Sequence, residues 1–158
     1  MQAHIRAATS EDAAAITFVY LESAEHHAAI DPERNYVPER AAIEERYRSG
    51  KQHPSEPAVT LVAEADGSVV GFIDARIGET FDPMYRPARY CFVADIAVAR
   101  AHRSKRIGEQ LMEAIEKWAA SQGATAMLLE YHVGNTRVAD FYKRQGYRPA
   151  SVVAYKSI

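Results

Sequence analysis

Between Tyr90 and Val98 runs an apolar stretch of strand length, interrupted by Asp95, which leads through His102-Arg103-Ser104-Lys105-Arg106 into Gly108 and a helical pattern. This junction constrains the chain more than any other feature. Ile107, Leu111, Ala114, Ile115 and Trp118 recur at helical spacing up to Gly123, and Ala126 to Tyr131 resumes as strand. The order is strand, basic loop, helix, strand. The first amides of a helix lack intrahelical acceptors, and the macrodipole places about half a positive charge there, so a strand feeding a helix in this way makes an anion site. Taken alone, the basic run is also compatible with a solvated loop or a nucleic-acid patch.

The flanking pattern predicts further elements on both sides. His4 to Ala8 reads as a first strand, and Thr9-Ser10-Glu11-Asp12 as a capping box opening a helix through Ile16, Val19 and Tyr20. His26 to Val37 reads as a loop. A second helix is expected between Pro38 and Ser49, with Glu44 and Arg48 paired at i,i+4 and Gly50 closing it. After a linker bearing Pro54 and Pro57, Thr60 to Ala65 and Ser68 to Ile77 are strands joined by Asp66-Gly67, a hairpin signal. Residues 78 to 87 read as a loop. Val138, Phe141 and Tyr142 place a last helix after Asn135, closed by Gly146, and Ala150 to Lys156 reads as a last strand.

Length and charge limit the function classes. At 158 residues, 47% hydrophobic and 25% charged, the chain is expected to be one globular domain over residues 1 to 158, with no need of disulfides or metal. The lone Cys91 and the absence of a signal-peptide pattern or long apolar run point to a cytoplasmic protein without a membrane anchor. Net charge is -2, but residues 1 to 66 carry 12 acidic against 6 basic side chains and residues 67 to 158 carry 9 against 13. An acidic first half favours a cationic partner, and a slightly acidic chain with one short basic run argues against nucleic acid.

Arg103-x-x-Arg106-x-Gly108 resembles the pyrophosphate-binding motif of GNAT acetyltransferases, Arg/Gln-x-x-Gly-x-Gly/Ala. The resemblance extends through Asp95-Ile96-Ala97-Val98, Asn135-Thr136-Arg137 and Phe141-Tyr142-x-x-x-Gly146-Tyr147, over about residues 60 to 156. It implies an α/β fold with a mixed, largely antiparallel sheet of six or seven strands and helices on both faces. It also implies an N-acetyltransferase that moves an acetyl group from acetyl-CoA directly to a primary amine. In that scheme Ile96, Ala97 and Val98 hold the pantetheine arm in strand-like fashion. Ser104, Lys105, Arg106, Ile107 and Gly108, with Arg103, hold the pyrophosphate, and Asn135 contacts the arm or caps its helix. Tyr142 protonates the departing thiolate, or else packs beside Phe141.

Two positions depart from the family pattern. Arg106 replaces the usual first glycine, and Ala94 stands where many relatives carry Glu beside Asp95. The missing Glu keeps a non-catalytic acyl-CoA-binding regulatory domain in play. It also leaves the general base open among Asp95, Glu130, His132 and a water relay. No metal is expected, since His26 and His27 are adjacent in a segment read as loop. Cys91, in an apolar strand, is expected to pack rather than to act as a nucleophile. Expected partners are a cationic amine, bound by residues 20 to 40 and 78 to 90, and a second copy in a homodimer.

Overall fold

A computed structural model describes residues 2–53, 57–80 and 83–158. Pro54 of the expected linker and two positions of the expected loop, 81 and 82, lie outside the described residues. The chain runs β1 (His4–Ala7), α1 (Ala13–Ile30), α2 (Arg40–Arg48), β2 (Ala58–Ala65), β3 (Ser68–Glu79), β4 (Arg89–Val98), α3 (Ile107–Ser121), β5 (Ala126–Leu129) and α4 (Thr136–Arg144). The strands form one mixed sheet in the order β1-β2-β3-β4-β5. The first three pairings are antiparallel and the last, β4 with β5 across α3, is parallel.

Local chemistry explains most of these elements. Asp12 accepts the Thr9 amide at 2.8 Å and two bonds from the Arg6 guanidinium at 2.8 and 2.9 Å, which ties β1 to the start of the first helix. That arginine holds the Asp12 carboxyl down at about 2. At the β2–β3 turn, Asp66 and Gly67 both have positive φ, 52° and 73°, as a two-residue turn matched to strand twist requires. Glu44 and Arg48 pair on α2 as their spacing predicts.

The helices cover both faces of the sheet. On one, Leu61, Ala63, Ile73, Ala75, Cys91 and Val93 pack with Ile107, Leu111, Met112 and Ile115 of α3 and Tyr142 of α4. On the other, Val62 and Phe72 pack with Ile16 and Val19 of α1 and Ile43 and Tyr47 of α2. Burying one such aliphatic side chain contributes about 1.5–3 kcal/mol, so each face is a substantial share of the stability.

Three expectations need correction. The sheet has five strands among the described residues, not six or seven, because Ala150 to Lys156 forms no strand. Val152, Val153 and Tyr155 are exposed there; β-propensity without a ladder partner or a face to pack on does not make a strand. Second, α1 continues through His26 and His27 to Ile30, where Asp31 donates its amide to the His27 carbonyl. Ala28 and Ala29 are strong helix formers and carry the helix past the two histidines. Third, β3 runs on to Glu79 and β5 stops at Leu129, short of Tyr131.

Candidate functional site

Strand β4 changes character at its midpoint. Ala75 lies opposite Val93 and Asp74 opposite Asp95, so Ala94 is an extra, bulged residue. A bulge bends and twists its strand. The parallel pairing to β5 ends at Val93 with Leu129, while β4 continues to Val98. Among the described residues, from Ala94 onward only the β3 side of the strand is paired, and the edge carrying Ile96, Ala97 and Val98 is open. Ile96 and Val98 lie against the α3 core and Ala97 against the α1/α2 core.

That open edge leads into the anion-type loop. Arg100–His102 form a 3-10 turn, and Ser104 and Arg106 then take left-handed conformations with φ of 63° and 65°. Arg106 is the N-cap of α3, and the first helical bond runs from the Gln110 amide to its carbonyl. The amides of Ile107, Gly108 and Glu109 therefore have no intrahelical acceptor. A left-handed arginine costs about 1–2 kcal/mol where glycine would cost little, which explains why glycine suits this position. A Cβ on Gly108 would meet Phe141 at an ordinary 3.5 Å, so core packing does not demand glycine there. Lys105 is half-buried between the two strained residues.

The arginine side chains differ from their expected use. Arg103 turns back, its Nε donating to the Val98 carbonyl at 3.1 Å, and so braces the strand end. Arg106 is exposed and pairs with Glu109. Arg137, in the first turn of α4, donates to Ser104 Oγ at 3.1 Å and draws α4 up to the loop.

Asn135 caps α4, its Oδ1 accepting the Val138 amide at 3.3 Å while Nδ2 donates to His26 Nε2 at 3.5 Å. Tyr142 sits among Phe141, Tyr131 and Tyr147, with ring centroids 5.2, 5.5 and 5.7 Å away. Burial pushes its phenol up to about 12, which keeps the proton on at any ordinary pH. Tyr142 therefore packs beside Phe141 with its phenol protonated.

The three candidate bases sit in different surroundings. Glu130 is exposed beyond the end of β5. His132 takes the Gly134 amide on Nδ1 at 3.0 Å, leaving Nε2 to face Asp31 at 3.3 Å. Asp95 lies on the bulged, half-open part of β4, where burial, and then the neighbouring Asp74, push its carboxyl up to about 6.

Asp74 and Tyr47 are residues that sequence reasoning missed. The Tyr47 hydroxyl donates to Asp74 Oδ2 at 2.7 Å, and both residues are buried. An acidic residue inside an apolar run was the available signal.

Cys91 is fully buried and its thiol is raised to about 11 by burial, the setting of a packing residue. Among the described residues no group of three or more His, Cys, Asp or Glu side chains is placed to hold a metal, and no helix is long and apolar enough to cross a membrane.

Comparison with known proteins gives this geometry a context. A probable N-acetyltransferase, camello, of Xenopus tropicalis is 32% identical over 66% of this chain and 45% of its own length, so the match spans less than half of that relative. The BH1408 protein of Bacillus halodurans superposes with a TM-score of 0.88 at 20% identity over 98% of this chain and 99% of that one. An aminoglycoside N-acetyltransferase solved in complex with CoA, AAC(6')-Iy, superposes at 0.70 with 18% identity over 100% of this chain and 97% of its own. At such identities the superpositions establish the fold alone. The model of the acetyltransferase (GNAT) family matches residues 11–147, and the chain belongs to that family.

Proposed function

We propose that this chain transfers an acetyl group from acetyl-CoA to a primary amine of a small cationic molecule, by direct attack without an acyl-enzyme. The observation that carries the reading is the parting of β4 from β5 at Val93, which leaves an open strand edge running straight into unpaired amides at the start of α3. An extended amide-bearing arm suits the first feature and a diphosphate the second.

The residues fit the donor. Ile96, Ala97 and Val98 would take its pantetheine arm along the edge. Ser104, Lys105, Arg106, Ile107 and Gly108 would take its diphosphate, with Arg103 holding the strand end in place and Asn135 facing the arm from α4. The bound donor supplies an activated acetyl thioester. Asp95 takes the proton from the incoming ammonium group, since a carboxyl near 6 is ionised at neutral pH yet basic enough to accept it. Tyr142 holds a proton for the leaving sulfur. Cys91 takes no part. The 12 acidic side chains before residue 67, and the aminoglycoside acetyltransferases among its structural neighbours, favour a polyamine-like or aminoglycoside-like acceptor.

The test is a screen of amines, with aminoglycosides and polyamines included, for thiol release from acetyl-CoA. Amine-dependent release is expected, and Asp95→Asn should lower its kcat about 100- to 10,000-fold. CoA binding by calorimetry without release for any amine would favour a non-catalytic acyl-CoA sensor. Parent-level turnover in Asp95→Asn would return the deprotonation to water.

A further inference from the structure

We propose that Asp74 is a positioning residue for deprotonation of the amine: Asp74 and Asp95 hold one proton between them, so that together they present a single negative charge to an incoming ammonium group. This rests on the reading of Asp95 as the base.

The geometry begins with the bulge. Simple alternation along β4 would set Ala94 opposite Asp74, but the extra residue moves Asp95 into that place. Directly opposed residues of an antiparallel pair have Cβ atoms about 4.5–5.5 Å apart, close enough for two carboxyl groups to touch. Asp74 is 1% exposed, and among the described residues its Oδ1 is a buried atom with no hydrogen-bond partner. Its other oxygen takes the Tyr47 hydroxyl. The hydroxyls of Thr60, opposite Asp74 on β2, and of Tyr47 both lower its carboxyl, but burial outweighs them, and a carboxyl with its proton on Oδ1 can donate across the ladder to Asp95.

Burial outweighs the groups that face the pair. Arg46 of α2 lowers both carboxyls, and His53, its Nε2 2.9 Å from the Thr60 hydroxyl, lowers Asp74 more than Arg46 does. Tyr20 from α1 and Tyr47 from α2 are phenols raised chiefly by burial and so remain neutral; Tyr36 acts weakly on Tyr20. Burial is the largest influence on Asp74 and Asp95, and it pushes both upward. Two carboxylates in such a setting do not both ionise at neutral pH, and their protons leave in linked steps. The exchange balances: the singly protonated pair takes one proton from R–NH3+, becomes neutral, and leaves R–NH2 with the lone pair that attacks.

The deciding experiment follows the aspartate side-chain carboxyl carbons by NMR across pH 3 to 9 in the ligand-free protein, beside the pH profile of kcat/KM. In the parent, Asp95 should titrate over a broad, two-step range. In Asp74→Asn, whose side chain still accepts from Tyr47, Asp95 should titrate in a single step about one pH unit lower, and the acid limb of kcat/KM should move with it. Tyr47→Phe removes a donor that lowers Asp74, so Asp74 keeps its proton more firmly and Asp95 shifts the same way by less. That second variant keeps the test alive if the first folds poorly. An Asp95 titration unchanged in both variants would overturn the shared proton and leave Asp74 a packing residue. Linked titration with undiminished turnover in Asp95→Asn would leave the pair standing and overturn its role in deprotonation.

Discussion

The two faces of the β3–β4 hairpin are made differently from the same alternating backbone. Toward α3 and α4 the strands present Ile73, Ala75, Val93, Ile96 and Val98, an aliphatic surface met by Leu111, Met112 and Ile115. Toward α1 and α2 they present Phe72 and Ala97 but also Asp74 and Asp95, met by Tyr47 and Tyr20. Because side chains alternate with period two, one pair of strands can serve both purposes. The apolar face stiffens the platform where α3 offers its free amides, and the polar face keeps ionisable groups in a poor solvent, where their charge costs stability and the carboxyls hold their protons more tightly.

The largest test of this contrast is Leu111→Ala on the apolar face. Leu111 is fully buried, so the variant should lose about 3–4 kcal/mol in urea unfolding, and a loss under 1 kcal/mol would mean that this face is not the main source of stability. Next comes Tyr142→Phe, which keeps the ring among Phe141, Tyr131 and Tyr147 while removing the hydroxyl. Stability and CoA affinity should change little and kcat should fall about 10- to 1000-fold; an unchanged kcat with saturating free amine would reduce Tyr142 to packing.

A smaller effect separates the faces by pH. A carboxyl raised by burial favours the folded state while protonated, so its contribution is present below the unfolded value near 3.8 and is lost as pH rises towards about 6. Asp95→Asn should therefore gain on the parent by about 1–2 kcal/mol between pH 4 and 6, with the gain level above that, as read by urea unfolding at several pH values. Asp12 has the opposite sign. Held at about 2 by Arg6, it stabilises above 3.8 and loses that contribution as pH falls towards 2, so Asp12→Asn should cost about 1–2 kcal/mol at pH 6 and nearly nothing at pH 2. Equal pH slopes in both variants would erase the distinction between a carboxyl that costs stability and one that supplies it.

Much of the scaffold was legible because it is written in short-range chemistry. The Asp66-Gly67 turn, the Asn135 cap, the Glu44–Arg48 pair and the helix opening at Ile107 each depend on residues within a few positions of one another. The basic loop could be placed, but the direction of its side chains could not. Arg103 returns to the Val98 carbonyl because the 3-10 turn brings the strand end within its reach, and Arg106 stays in solvent beside Glu109. The segment 150 to 156 has the residues of a strand without being one, because strand character depends on a neighbouring strand, and none pairs with it among the described residues.

Sequence alone determined the alternation of apolar and polar positions, the anion-type helix start at 103 to 108 and the family, since these reside in residue type and spacing. Only the tertiary structure decided that Ala94 would bulge, that Asp95 would consequently face Asp74, and that Tyr47 would reach that carboxyl from 27 residues away in the chain. The physical reason is register. A one-residue slip reverses which side chains share a face, and it is set by the ladder bonds of β3 with β4 rather than by any property local to either strand.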